Sequence, residues 1–121
     1  MIIIFLLIIL IDLFYLLLFK NVFNDMIYKI QNSDIKPKFI SIFICYIFLS
    51  IGLYYFIIKN NKKPIEAFIL GIVIYGVYDT TNYALFDKWN VYLAIIDTLW
   101  GGILLYLVSI LYYELKNCNI I

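Results

Sequence analysis

The sequence predicts an all-α membrane protein, a bundle of four transmembrane helices joined by short connections. Hydrophobic residues make up 66% of the 121 residues, and charged residues make up only 14%. A soluble domain averages roughly 45–50% apolar and about 25% charged residues, so this chain needs lipid as its solvent. Four apolar runs follow one another in a single domain of residues 1–121. Each is close to the ~20 residues that a ~30 Å hydrocarbon core requires.

The first two predicted spans cover residues 2–19 and 39–58. The first run is apolar except for Asp12. A secretory signal peptide is the alternative interpretation, but it needs a positively charged start and a small-residue cleavage site, and the run has neither. We therefore expect the first run to be retained as a membrane span.

The third and fourth predicted spans cover residues 65–86 and 91–113. Pro64 suits a first helical position, and Glu66 adds an acid to the first turn of the same helix, which together form a helix-start signal. The short hairpin between these spans carries Trp89, a residue typical of the membrane–water interface. A polar tail follows the fourth span.

The longest connection, residues 20–38, contains apolar residues at helical spacing: Val22, Phe23, Met26, Ile27 and Ile30. Such a pattern is typical of an amphipathic helix that lies on the membrane surface. The alternative is a continuation of the first span. Of the two, we expect the surface helix.

Composition excludes several kinds of chemistry. The chain has no histidine and two cysteines, which removes His-based acid–base catalysis and the ordinary His/Cys zinc sites. The net charge is only +1, and every basic residue is a lysine, so we expect no nucleic-acid partner. No metal site and no cofactor is indicated by any motif.

The informative residues are three carboxylates inside predicted spans, Asp12, Asp79 and Asp97. An aspartate near the centre of a membrane helix costs ~2.5–3.5 kcal/mol on insertion scales, whereas each Leu or Ile returns only a few tenths. Such side chains seldom face lipid. We therefore expect all three to turn towards the interior of the bundle.

The depths of these residues can be compared at the helical rise of 1.5 Å per residue. We call the membrane face that holds the connections 20–38 and 87–90 the connection face. From that face Asp12 lies about 12 Å deep, Asp79 about 10 Å and Asp97 about 9 Å. Tyr46 comes to about 10 Å by the same measure. All four helices thus place a polar group at one level, which predicts a polar layer.

Helical periodicity predicts which side chains share a face with these acids. Tyr78 and Asn82 lie on the Asp79 face of the third span, and Trp100 lies on the Asp97 face of the fourth. The candidate ligand- or ion-binding residues are therefore Asp12, Asp79, Asp97, Asn82, Tyr78, Tyr46 and Trp100.

Two interpretations of the polar layer stay open. In the first, the aspartates accept hydrogen bonds from neighbouring tyrosine, threonine and asparagine side chains and only fasten the helices together. In the second, they form a site for a proton, a cation or a polar group of a ligand. Every lysine lies at a membrane edge, so at least one acid should be neutral, or a cation should lie among them.

The order of these motifs resembles the predicted bacterial membrane proteins catalogued as domain of unknown function 2177. The resemblance covers nearly the whole chain, and Tyr15 stands where such proteins tend to carry tryptophan. It implies four helices and no established activity, and relatives often lie near genes for lipid modification. The motifs are Gly71-xxx-Tyr75-Gly76-x-Tyr78-Asp79-x-Thr81-Asn82, Lys88-Trp89 and Asp97-xx-Trp100-Gly101.

Three functions follow as hypotheses. The first is a small transporter or accessory subunit that binds a proton, cation or small polar ligand in the polar layer. Because four helices are few for alternating access, a transporter of this size is expected to form a homo-oligomer. The second is a membrane-embedded enzyme or enzyme partner in lipid modification, with Asp79 and Asp97 as an acid–base pair. The third is a purely structural membrane component.

Overall fold

The computed structural model describes all 121 residues and contains four helices and no strand. The second helix ends in one π-helical turn, Tyr54–Ile58, which continues directly from it. The predicted all-α, four-helix architecture is confirmed. The helices are α1 (Ile2–Gln31), α2 (Phe39–Leu53), α3 (Pro64–Leu85) and α4 (Val91–Asn117).

Three of the helices have the length and apolar composition of membrane spans: α1, α2 with its π-helical turn, and α4. Helix α3 has 22 residues, which at 1.5 Å per residue gives about 33 Å, also enough to cross. Its last two turns carry Asp79, Thr80, Thr81 and Asn82, which lower its hydropathy below that of the other three. Crossing by α3 therefore stays a prediction.

The expected separate surface helix is not formed, and the alternative, a continuation of the first span, is what the structure has. Helix α1 runs unbroken to Gln31 and ends at Asn32, whose φ of 57° is left-handed. Phe23, Met26, Ile27 and Ile30 of this extension pack against the hairpin that joins α3 to α4 and against the start of α4, whereas Val22 is exposed. The hairpin and the start of α4 thus cover the amphipathic face, which the sequence predicts to lie on the membrane surface.

The predicted start of α3 is confirmed. Pro64 is its first residue, and the backbone N–H of Lys63 donates to the Glu66 carboxylate at 3.1 Å. Helix α4 begins after Asn90, whose side-chain oxygen accepts the backbone N–H groups of Tyr92 at 2.8 Å and Leu93 at 3.2 Å. Both caps satisfy backbone donors that have no partner within the helix.

The distribution of apolar side chains is that of a protein in lipid. Only 23 of the 121 residues are buried, while leucines, isoleucines and phenylalanines cover the outer surface of every helix. Water would make such a surface costly, but a bilayer solvates it. The chain is an integral membrane protein.

The buried residues form two apolar clusters, with the polar layer between them. The smaller cluster lies at the connection face and joins the α1 extension to the hairpin; it contains Met26, Trp89, Leu93 and Ala94. The larger cluster lies on the other side of the layer and draws on all four helices: Ile4, Ile8, Leu49, Leu53, Ile57, Ile58, Ala67, Leu104, Leu105 and Val108. The three aspartates therefore lie between two regions of apolar packing.

Helices α3 and α4 approach each other most closely at Gly71. A Cβ atom built on Gly71 would lie 2.1 Å from the carbonyl oxygen of Gly101, and one built on Gly101 would lie 2.2 Å from the ring of Tyr75. Backbone atoms cannot move aside as a flexible side chain can. Small residues allow this contact, as they commonly do between membrane helices.

Replacing Gly71 with alanine is expected to separate α3 from α4. The substitution gains up to about 1 kcal/mol of helix propensity, but overpacking against a backbone costs about 1–3 kcal/mol, so the clash dominates. The midpoint of thermal unfolding in detergent should fall for Gly71→Ala. Gly52→Ala is the matched control, since its Cβ would meet nothing within 4 Å, and its midpoint should hold or rise. Equal midpoints for the two variants would contradict close backbone contact at Gly71.

Candidate functional site in the polar layer

Asp12 is fully hydrogen-bonded by donors from two other helices. The hydroxyl of Tyr46 on α2 donates to its Oδ2, and the indole Nε1 of Trp100 on α4 donates to its Oδ1 at 2.8 Å. The carboxylate is 6% exposed. Because each of its oxygens has a donor, Asp12 fastens α1 to α2 and α4, as the first interpretation of the layer expects.

Tyr15 links Asp12 to a second acidic centre. Its ring stacks on Trp100 with the ring centroids 4.7 Å apart and the planes 9° from parallel. Its hydroxyl donates to Oδ1 of Asp97 at 3.0 Å. The indole that holds Asp12 therefore also supports the tyrosine that holds Asp97.

Asp79 and Asp97 form a pair of neighbouring carboxyl groups between α3 and α4. Asp79 lies opposite the turn of α4 that carries Asp97 and Thr98, and the two acids are only 1% and 7% exposed. Thr98 donates its hydroxyl to Oδ2 of Asp79 at 3.3 Å, whereas Oδ1 of Asp79 has no hydrogen-bond partner. Two adjacent buried carboxylates repel each other, so this pair favours a shared proton or a bound cation.

Trp89 contributes a second unpartnered polar atom beside the pair. Its side chain is 5% exposed, and its indole N–H makes no hydrogen bond, although the indole is close enough to interact with Asp79. The ring of Tyr78 meets it edge-on at 6.2 Å. The sequence suggested an interfacial anchor here. Instead, the α1 extension packs over Trp89 and buries it at the hairpin.

A cavity of about 400 Å³ leads from the connection face to Asp97. Gln31, Ile35 and Lys36 line its outer part, where α1 gives way to the connection with α2. The remaining walls are mainly aromatic and apolar: Tyr15, Leu16, Phe23, Ile27, Tyr78 and Trp89. Asp97 is in this lining and Asp79 is not, so Asp97 is the member of the pair that the cavity reaches.

The mouth of the cavity is shaped by a connection folded back onto α1. The side-chain amide of Asn24 donates to the Asp34 carboxylate at 3.3 Å, and its carbonyl accepts the backbone N–H of Ile35 at 3.1 Å. Gln31 donates to the carbonyl of Asp34 at 2.8 Å. These bonds hold the segment that includes Lys36 against the cavity.

A separate groove of about 330 Å³ reaches Asp79 between α3 and α4. It shares no lining residue with the cavity at Asp97, and its walls are almost entirely apolar. Its lining is Ile72, Gly76, Asp79, Thr80, Tyr83, Val91, Ala94, Ile95, Thr98 and Leu99. The acid pair therefore lies between a cavity at the connection face and a groove on the side of the bundle.

The structure distributes the seven candidate residues over four positions. Asp12, Tyr46 and Trp100 form the fully bonded centre, and Asp79 and Asp97 form the pair. Tyr78 is half exposed in the cavity wall. Asn82 donates to none of the aspartates, because it lies near the end of α3, one turn beyond Asp79. No group of three acids or cysteines able to hold a metal ion is formed.

Sequence reasoning missed three residues of the layer. Tyr15 lies one turn from Asp12, but its hydroxyl binds Asp97. Thr98 follows Asp97 directly in the sequence and therefore lies on a different face of α4. Asp79 reaches it only because α3 packs against that face. The sequence predicts that Trp89 is a residue of the membrane interface, whereas the structure places it in the cavity lining with Asp97.

Asp12→Asn is expected to destabilise the bundle. In asparagine an NH2 group replaces one carboxylate oxygen, and it cannot accept the hydrogen bond that Tyr46 or Trp100 donates there. Losing a buried hydrogen bond costs about 1–3 kcal/mol. The unfolding midpoint in detergent should fall. Asp25→Asn makes the same chemical change at an exposed position of the same helix and should leave the midpoint unchanged. A normal midpoint for Asp12→Asn would show that Asp12 does not fasten the helices.

Comparison with known proteins identifies the family. The model of the family described as "Predicted membrane protein (DUF2177)" matches residues 1–114. No curated protein and no solved structure matches the chain. The matched region includes both acidic centres and the cavity, and it leaves out only the end of the polar tail. Since the match covers nearly all of its length, the chain belongs to the DUF2177 family of predicted membrane proteins.

Proposed function

We propose that the protein binds a proton, a cation or a small polar ligand at the Asp79–Asp97 pair, as a small transporter or an accessory subunit would. The observation that carries this proposal is the position of Asp97, which lies at the inner end of a cavity while its carboxyl group neighbours that of Asp79. A buried acid that only fastens helices needs no such cavity. The Asp12 centre, which has donors on both oxygens, shows what fastening alone requires.

The acid pair also supplies a driving force for binding. Two like charges held close together repel each other, and they do so more strongly inside a protein than in water. No basic residue lies in the polar layer, since the only lysine that lines the cavity, Lys36, lies at its outer end. A proton or a cation that reaches the pair removes this repulsion and gives the free oxygen of Asp79 a partner.

The route of the chain supports a crossing by α3 as well. The hairpin after α3 packs against the α1 extension at the connection face, whereas α3 itself begins after the far end of α2. If α2 crosses the bilayer, α3 must cross back to reach that hairpin. The polar residues that lower the hydropathy of α3 are the same ones that surround the acid pair.

A second candidate is a membrane-embedded enzyme or enzyme partner that acts on lipid. The apolar groove between α3 and α4 favours it, because the groove opens on the side of the bundle and reaches Asp79. Asp79 and Asp97 would then act as an acid–base pair. A changed lipid profile after gene deletion, measured by mass spectrometry, would support this candidate. An unchanged profile would count against it.

Asp97→Asn is expected to affect stability in the direction opposite to Asp12→Asn. The amide of asparagine can still accept from Tyr15, it removes the repulsion with Asp79, and it can donate to the free Oδ1 of Asp79. The unfolding midpoint in detergent should therefore hold or rise. A fall as large as that of Asp12→Asn would mean that Asp97 also serves only to fasten the helices.

The same folded variants test binding and transport. Reconstituted vesicles with an imposed pH or sodium gradient and an internal fluorescent indicator report flux through the protein. We expect Asp97→Asn and Asp79→Asn to lower that flux at least tenfold, and Asp25→Asn to leave it unchanged. Flux that persists in both pair variants would overturn the site. A wild-type protein without flux of either ion would overturn transport of protons and sodium.

A further inference from the structure

The cavity carries groups of opposite charge at its two ends. Lys36, which is exposed, lines the outer end with Gln31, and Asp97 lines the inner end. These are the only charged residues in the lining. A ligand that extends from one to the other would therefore meet a negative group deep in the bundle and a positive group near its surface.

The walls between these ends are suited to an organic cation. Tyr15, Phe23, Tyr78 and Trp89 all line the cavity. Aromatic faces attract cations such as ammonium groups through the charge distribution of their rings. They offer none of the additional oxygen ligands that a magnesium or calcium ion requires. The three aspartates also do not converge into a metal-binding group.

The size of the cavity favours a small molecule over a bare ion. Its volume of about 400 Å³ falls within the range of about 300–1,000 Å³ that is typical of ligand pockets. A dehydrated metal ion would leave most of this space empty. A short chain with a charged group at each end would occupy it.

One buried atom in the cavity lining has unused hydrogen-bonding capacity. Trp89 is 5% exposed, and its indole N–H has no acceptor. Oδ1 of Asp79 has no donor either, but Asp79 lines the groove and not the cavity. Buried polar groups are normally paired, so a ligand in the cavity can offer an acceptor to the Trp89 N–H.

We propose that the cavity binds a small zwitterion that joins a primary ammonium to an anionic group, with the ammonium at Asp97 and the anionic group towards Lys36. This inference rests on the proposed function, because it names the ligand class of the same site. A primary ammonium has N–H donors for the carboxylate of Asp97, which lines the cavity. A quaternary ammonium has none.

Phosphoethanolamine is the probe, and the full chain in detergent is the sample. Its addition should raise the unfolding midpoint in a saturable way, because a ligand that binds only the folded state stabilises it. Phosphocholine, which lacks N–H donors, should bind at least tenfold more weakly. Ethanolamine and inorganic phosphate, which each offer one end only, should also bind at least tenfold more weakly. Equal binding of phosphocholine or ethanolamine would overturn the proposed contacts.

Variants at the two ends separate the two contacts. Asp97→Asn should abolish the response to both phosphoethanolamine and ethanolamine. Lys36→Ala should lower affinity for phosphoethanolamine about tenfold and leave that for ethanolamine unchanged. Lys38→Ala, two residues along the same connection and outside the cavity lining, is the matched control and should behave as wild type. Equal effects of the two lysine variants would overturn the role of Lys36.

Lipid composition identifies the source of the ligand. In nanodiscs of phosphatidylcholine, free phosphoethanolamine should raise the unfolding midpoint. If the natural source is a lipid headgroup, adding phosphatidylethanolamine to the disc should raise the midpoint and remove the response to the free compound. If the source is a soluble zwitterion, the response to the free compound should persist in both discs.

The outcomes also distinguish this inference from the proposed function. Ion flux that depends on Asp97, together with no response to phosphoethanolamine in any preparation, would overturn the zwitterion and leave the site standing. Loss of both the flux dependence and the ligand response would overturn both.

Discussion

A carboxylate in hydrocarbon needs a hydrogen-bond donor, a proton or a cation, and this constraint decides how the four helices are turned. All three aspartates, Asp12, Asp79 and Asp97, face inward. Polar groups therefore lie in the middle of an otherwise apolar bundle. Apolar clusters pack on both sides of the layer. Glycines also allow α3 and α4, the helices that carry Asp79 and Asp97, to pack closely.

The layer satisfies this constraint in two different ways. Asp12 is surrounded by donors supplied by the protein, whereas the Asp79–Asp97 pair keeps one free acceptor and lies at the end of a cavity. A single tyrosine, Tyr15, connects them through its stacking on Trp100. The unsatisfied oxygen of the second centre is the reason that we propose the pair, and not Asp12, as the binding group. The extension of α1 completes the second centre by forming one wall of the cavity and covering Trp89.

Much of the architecture follows from the sequence alone, since its causes are local. The lengths of the apolar runs determine the helices, and Pro64 with Glu66 determines where α3 begins. The cost of an acid in lipid predicts that all three aspartates turn inward, and helix counting places them at one depth. The cause in each case is a backbone or solvation requirement of the residue itself, which any packing of the helices must meet.

Only the tertiary structure decided which acid meets which partner. Helical periodicity places Tyr15 near Asp12, yet its hydroxyl reaches Asp97, because α1 and α4 are rotated towards each other. Thr98, on a face of α4 that periodicity alone does not favour, binds Asp79 because α3 packs against that face. The α1 extension likewise packs on the hairpin and not on the membrane surface, since an amphipathic face can be covered equally well by lipid or by protein. Contacts between helices depend on their rotation and separation, which a pattern within one helix does not contain.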